Sequence, residues 1–419
     1  MKDLSLEPHP SSDAGNNSPG VSLILSVLAT LLLSVAMGVS AVIIPTTLQS
    51  QGISSTMIGL IMSLETIAAF VISLFFPSLL RIIGLKYGLI LSTLLRIPAL
   101  LLLGFTSNII LWTIAVFFNG VGCFTFLILL QTWIVGMKFK SNKGLMVSLY
   151  TTSISLGLAM GPLLLEYSGK ILLFVKPLLN SFFINIALSS VTGIQGSSTR
   201  FIFILAALMS LVALLPILMG FFLLPSFKLK GNVGIWESII NAKGPMFAVA
   251  MAGVSFFGVC AFITIYGLKN QLSFNESALL LTLFMMGSLL LEAPMTWVSD
   301  FVDRRYVIVI AAFMSMLCAV YLPIAIYVNY QAYILLFIWG GVNAAIYSTS
   351  LALIGDKYEG DALVAANAGY TLMDAAGGTA GILLIGYTMD AFGPDGLPYI
   401  IMLSSILYFS FALTRYRVV

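Results

Sequence analysis

Hydrophobic residues make up 60% of the 419 residues and charged residues 8%, where a water-soluble chain carries roughly 25% charged residues. So few charges cannot coat a globule in water, and the expected fold class is an all-α polytopic membrane protein. The formal net charge of +3 comes from scattered basic residues without a run suited to a phosphate backbone, which excludes nucleic acid as a partner.

The segment 1–20 is polar and rich in Ser, Pro, Asn and Gly, and reads as a disordered cytoplasmic tail. It holds the only histidine, His9, and lacks the apolar core and small-residue cleavage site of a removable signal peptide. Stretches of the roughly 20 apolar residues that cross a bilayer then follow near 21–44, 56–80, 86–106, 109–136, 145–165 and 201–224. A second set lies near 245–266, 277–298, 306–328, 332–354, 363–387 and 397–414, which makes twelve spans. The stretch 171–191 is long enough to cross, but contains Lys176, Pro177, Asn180 and Asn185.

Charge decides its place, because basic residues collect on the cytoplasmic side. With both termini inside, the inner segments hold Lys2, Arg81, Lys86, Lys138, Lys140, Lys143, Lys228, Lys230, Lys243, Arg304, Arg305, Lys357, Arg415 and Arg417, whereas only Lys170, Lys176, Arg200 and Lys269 fall outside. A crossing at 171–191 would invert every basic cluster after it, so an interfacial insert on the outer face, about 166–200, is expected. The spans divide into bundles at 21–225 and 245–419, joined by a cytoplasmic linker at 226–244. Each half has a tight basic loop between its second and third span. Two six-helix units related by an axis along the membrane normal are the build of a transporter whose halves rock about a central site. The setting is a multi-pass protein of the plasma membrane, the inner membrane if the source is a bacterium.

Two motifs carry a family resemblance. The segment Glu292-Ala-Pro-Met-Thr-Trp-Val-Ser-Asp300-Phe-Val-Asp303-Arg304-Arg305 resembles the cytoplasmic signature that major facilitator proteins place between spans 2 and 3 and repeat between spans 8 and 9. Gly355-Asp356-Lys357, Leu363 through Ala368, and Met389-Asp390-Ala391-Phe392-Gly393-Pro394-Asp395-Gly396-Leu397-Pro398 are similar to the YcaD-like branch of uncharacterised facilitators. This resemblance implies twelve transmembrane helices in two pseudo-symmetric bundles, and a cavity lined mainly by spans 1, 4, 7 and 10. The chain departs from the family pattern in the first half. The loop Pro77 to Lys86 has no acidic residue, and span 4 lacks the arginine that many proton-coupled members place before the glycines corresponding to Gly120 and Gly122.

The resemblance makes Asp300, Asp303, Arg304 and Arg305 a cytoplasmic gate, with an acid lying against the positive end of a neighbouring helix, near Ser141 to Lys143. Glu292 continues the gate along a stripe with Ser288, Thr296 and Ser299. Charges within spans are expensive in hydrocarbon and mark function. Glu65 and Arg96 lie on successive spans and can neutralise each other. Asp374 shares a helical face with Asn367 and Tyr370, beside Gly378 and Gly381, as suits a helix bordering water. Substrate or proton coupling is therefore expected at Asp374, with Glu65, Asn367, Tyr370, Asn119, Asn343 and Tyr347 as further candidates. No cofactor or metal is implied, and nothing in the sequence calls for more than a monomer.

The function expected is a secondary active transporter moving a small organic solute, with protons as a candidate coupling ion. No G-x-x-x-x-G-K loop is present to couple ATP. The alternative is a transport-inactive relative acting as a membrane sensor or assembly partner. An enzyme is disfavoured by the absence of a membrane His, an H-E-x-x-H helix or a G-x-S-x-G elbow.

Overall fold

The computed structural model describes residues 19–136, 143–175, 197–220, 234–299, 301–358 and 360–416. Among these the chain is helical, with short connections and no strand. The tail, Asp300, residues 176–196 of the insert and residues 221–233 of the linker region lie outside the described residues.

The first half runs through α1 (Pro19–Ser50), α2 (Ser55–Ile82), α3 (Gly84–Phe105), α4 (Ile109–Gly136) and α5 (Lys143–Val175). Its sixth span is broken into α6 (Ser197–Val212) and α7 (Leu214–Met219). The break at Ala213 precedes Pro216, whose ring cannot continue a regular hydrogen-bond ladder. A short helix, α8 (Ile235–Asn241), ends the linker. The second half is α9 (Lys243–Lys269), α10 (Phe274–Val298), α11 (Arg304–Ala325), α12 (Asn329–Lys357), α13 (Gly360–Ala391) and α14 (Gly396–Tyr416). Among the described residues, ten helices are long and apolar enough to cross a membrane, and shorter apolar helices over 149–165 and 396–412 complete the twelve spans. One boundary differs from expectation: α5 continues as helix to Val175, so the first ten residues assigned to the insert extend the fifth span.

Polar residues enter these apolar helices by bonding inward. Thr30 Oγ1 donates to the Ser26 carbonyl and Ser40 Oγ to the Ala36 carbonyl, both at 2.8 Å, which removes each hydroxyl from lipid without a tertiary partner. Ends are capped where they leave the bilayer. Ser54 caps α2, a Ser273–Glu276 capping box opens α10, and Asp303 Oδ1 accepts from the Arg305 amide at 2.9 Å at the start of α11.

Packing repeats between the halves. The pair α1–α5 corresponds to α9–α13, α3–α4 to α11–α12, and α2–α4 to α10–α12. Glycines set each close approach, as is usual where helices associate without a hydrophobic driving force. A Cβ on Gly157 would meet the Leu31 carbonyl at 2.7 Å, and one on Gly377 would overlap the Ala250 carbonyl. A Cβ on Gly120 would lie 2.7 Å from the Glu65 Cα, and one on Gly340 would strike the Phe284 backbone.

The halves touch through α2–α13 and α5–α10. At the end bearing the 51–54 loop, one continuous core joins them, including Ile44 and Ile58 from the first half with Phe262 and Ile385 from the second. Towards the opposite end, which carries Arg81, Lys86, Arg304 and Arg305, the core divides. One cluster around Leu89, Phe126 and Trp133 belongs to the first half; others, around Ala252 with Tyr408 and around Met246 with Tyr370, belong to the second. The bundle is thus joined at one end and split into separate cores at the other.

Candidate functional site

A small central cavity of about 70 Å³ lies between the halves. Its charged residues are Glu65 on α2 and Arg96 on α3, and its polar walls include Ser40, Thr66 and Asn119. Apolar and aromatic side chains make up the rest, notably Phe124 from α4 and Phe257 from α9, whose ring centroids are 6.2 Å apart.

Glu65 and Arg96 do not pair directly, but they lie close enough for the Arg96 charge to act on the Glu65 carboxylate. Asn119 stands between them: its Nδ2 donates to Glu65 Oε1 at 2.7 Å and its Oδ1 accepts from Arg96 Nε at 3.1 Å. A neutral amide with a donor at one end and an acceptor at the other can serve an acid and a cation at once. Arg96 has 0% exposure; its Nη1 reaches the Leu33 carbonyl at a long 3.5 Å, and its Nη2 has no partner among the described residues.

The cavity wall differs from the one the resemblance implies. Helices α1, α4 and α9 contribute, but α2, α3, α5 and α13 supply the remainder and α12 supplies no lining residue. Asn343 and Tyr347, expected there, are placed elsewhere. Tyr347 packs on Tyr370 with ring centroids 5.2 Å apart, and Tyr370 Oη donates to the Tyr347 carbonyl at 2.6 Å. Asn343 is buried with its Oδ1 unpaired among the described residues.

Asp374 lies off the cavity too. Its carboxylate presses on α9 where Gly253 leaves room, since a Cβ there would sit 2.8 Å from Asp374 Oδ1. The side chain is half-buried and makes no hydrogen bond or ion pair among the described residues. Asn367, half-buried on the same face, accepts the Thr371 hydroxyl through its carbonyl at 3.1 Å. Glu292 accepts a hydrogen bond from Ser348, and Thr296 and Ser299 bond back to their own helix.

Of the residues expected to gate the basic end, Asp300 lies outside the described residues, and contacts within the second half are seen for Asp303 and Arg304. Asp303 caps its own helix, and Arg304 pairs with Asp356 at the end of α12. Arg305 borders the same surface pocket as Asp356 and Lys357.

A contact between the halves was not foreseen in the sequence. At the end with the 51–54 loop, Asp390 on α13 accepts from the Ser55 amide at 2.9 Å, the Thr56 amide at 2.7 Å and the Thr56 hydroxyl at 2.7 Å. Lys269 on α9 donates to Ser55 Oγ at 2.7 Å. Further down the same seam, Thr379 Oγ1 and Thr66 Oγ1 are 2.8 Å apart. Asp390 lies in the branch-like motif, but sequence alone offers no partner for it 334 residues away.

Two pseudo-symmetric helical halves around a central cavity define the architecture of a facilitator-type transporter. The Major Facilitator Superfamily profile matches residues 26–268 and again 245–418, and the chain belongs to that superfamily. It is 24% identical over 283 residues to the "Uncharacterized MFS-type transporter YfkF" of Bacillus subtilis (strain 168), a match spanning 64% of each protein. Its fold is similar to a bacterial homologue of the human lysosomal transporter Spinster in an inward-facing and unoccupied conformation, with TM-score 0.74 at 11% identity, covering 95% of this chain and 96% of that one. It is also similar to a mutant form of the nucleoside transporter NupG, with TM-score 0.70 at 11% identity, covering 94% of this chain and 99% of that one. The protein is a multi-pass membrane protein of this fold. The resemblance to the YcaD-like branch rests on the sequence motifs alone.

Proposed function

We propose that the chain is a secondary active transporter that moves a small organic solute by alternating access. The observation that carries this is the pairing of a central cavity with a core continuous at one end of the bundle and divided at the other. A cavity sealed at one face and flanked by separable halves is half of an exchange cycle; parting the α2–α13 seam would supply the other half. The basic end is cytoplasmic by the charge bias of the loops, so the sealed end faces outward. Energy for uphill movement comes from an ion gradient, and Asp374 and Glu65 are the acids available to carry protons. A carboxyl group in a low-dielectric site can exchange a proton where one in water stays ionised.

The test is flux. Purified protein in proteoliposomes, loaded with a metabolite extract and diluted into buffer with and without a pH gradient, should release at least one solute faster than protein-free vesicles do. No solute-specific flux under either condition would overturn the transporter reading in favour of a sensor or assembly role.

A further inference from the structure

We propose that the central cavity binds an organic monoanion, of the carboxylate class with a flat apolar body, through Arg96. The inference rests on the transporter reading and names its class of solute.

A guanidinium at the middle of a span is costly to bury unless its donors are satisfied. Arg96, with five N–H donors, is fully buried, yet only Nε has a partner at ordinary distance. Nη1 makes one long contact and Nη2 none among the described residues. The nearby acid does not complete it, because Asn119 holds Glu65 on its far side. A purely structural pair would use the two-pronged contact between guanidinium and carboxylate. Interposing an amide leaves that fork for something else. Arg96 is on the cavity wall, where an entering carboxylate would meet it.

The other half shows that the fold does not need charge at this point. Glu65 is the tenth residue after Ser55 at the start of α2, and Phe284 the tenth after Phe274 at the start of α10. Asn119 and Trp339 are each tenth after the starts of α4 and α12, Ile109 and Asn329. The glycine contacts fix the register, with Gly120 on Glu65 and Gly340 on Phe284. Where the first half has Arg96–Asn119–Glu65, the second has Ser315, Trp339 and Phe284. Trp339 Nε1 donates to Ser315 Oγ at 3.0 Å and its ring meets Phe284 edge-on at 6.4 Å. The same helix crossing is therefore built once with a satisfied neutral pair and once with an under-bonded cation beside a cavity. The difference belongs to ligand recognition and not to packing.

The rest of the wall sets the body of the ligand. Phe124 and Phe257, one from each half, flank a space otherwise bounded by groups such as Met62 and Leu158. A solute anchored by Arg96 would lay an apolar face against rings from both halves.

Binding, not flux, is the test. Cys260 borders the same cavity and is half-buried, so its alkylation by N-ethylmaleimide, read site by site by mass spectrometry, reports occupancy. The probes are sodium benzoate, its neutral isostere benzamide, and the cation benzylamine, each at ~10 mM, because a ligand of this size reaches roughly millimolar affinity. Benzoate should slow alkylation about fivefold, benzamide should not, and Arg96→Gln should remove the protection. Should Arg96→Gln not fold, Arg96→Lys, which keeps the charge but loses the fork, should weaken it. Equal protection by benzamide, protection by benzylamine alone (an acidic site at Glu65), or protection by none overturns the proposal. Failure of the vesicle experiment with benzoate protection intact would instead sink the transport reading and leave an anion-binding membrane protein.

Discussion

The carboxylate of Asp390 closes over the first turn of α2, accepting the Ser55 and Thr56 amides at 2.9 and 2.7 Å from the other half of the molecule. Those amides are among the four at a helix start that lack partners within the helix, and they sit at the positive end of its dipole. The acid is exposed, so water and salt screen the contact. Its worth is set by the exposed range of ~0.3–1 kcal/mol, enough to bias two states by about two- to fivefold.

Asp390→Ala should therefore raise the share of molecules open at this end. The readout is labelling of Met62→Cys, a cavity residue, by an impermeant maleimide applied from the side of the 51–54 loop. In a background without native cysteines the rate should rise about two- to fivefold. An unchanged rate would make the contact an incidental cap.

Orientation has its own test. Cysteines introduced at Asn270, between α9 and α10, and at Asn185 should both react with an impermeant reagent added outside intact cells. The basic ends of the spans hold their loops in the cytoplasm, which places both positions outward. Reaction at Asn270→Cys only after the membrane is permeabilised would reverse the topology.

The amount of this legible in the chain follows from what each feature depends on. Spans were readable because roughly 20 apolar residues have no soluble explanation, whereas Gly381, expected beside water, packs on α9, where a Cβ would lie 2.8 Å from the Val254 Cα. The break at Ala213 and the helical run past Leu165 are local matters of proline and helix extension that hydropathy does not resolve. Placement of the polar residues was least legible. Asp374 and Tyr347 looked as suited to a cavity as Glu65, because a helical face shows which residues lie together and not what lies opposite. Asn119 appeared only as a cavity polar, and its place between Glu65 and Arg96 needs three helices to be known at once.

That bridge predicts a strong and specific stability effect. Asn119→Leu would remove the partners of Arg96 Nε and Glu65 Oε1 together and leave a cation stranded in an apolar setting, at about 3–5 kcal/mol. Thermal unfolding in detergent should show a marked fall in midpoint. Copying the other half, with Glu65→Phe, Asn119→Trp and Arg96→Ser together, should recover much of that loss while abolishing benzoate protection of Cys260. A triple variant no more stable than Asn119→Leu alone would mean the two crossings are not equivalent.

The last prediction separates the two acids. Asp374 has no hydrogen-bonding partner among the described residues and lies against Gly253 on α9, whereas Glu65 is tied to Asn119 in the cavity. An acid that moves protons must be free to be charged in one state and neutral in the other, so the untied residue is the stronger candidate for coupling. Asparagine fills the same space as aspartate but can neither release a proton nor pair with a cation. If Asp374 couples, Asp374→Asn should abolish uphill accumulation driven by a pH gradient yet leave downhill exchange of solute across the vesicle membrane within about twofold of wild type. Loss of both activities together would place Asp374 in solute binding. Retention of both would reduce it to a packing group beside Gly253, and leave Glu65 as the acid through which any proton passes.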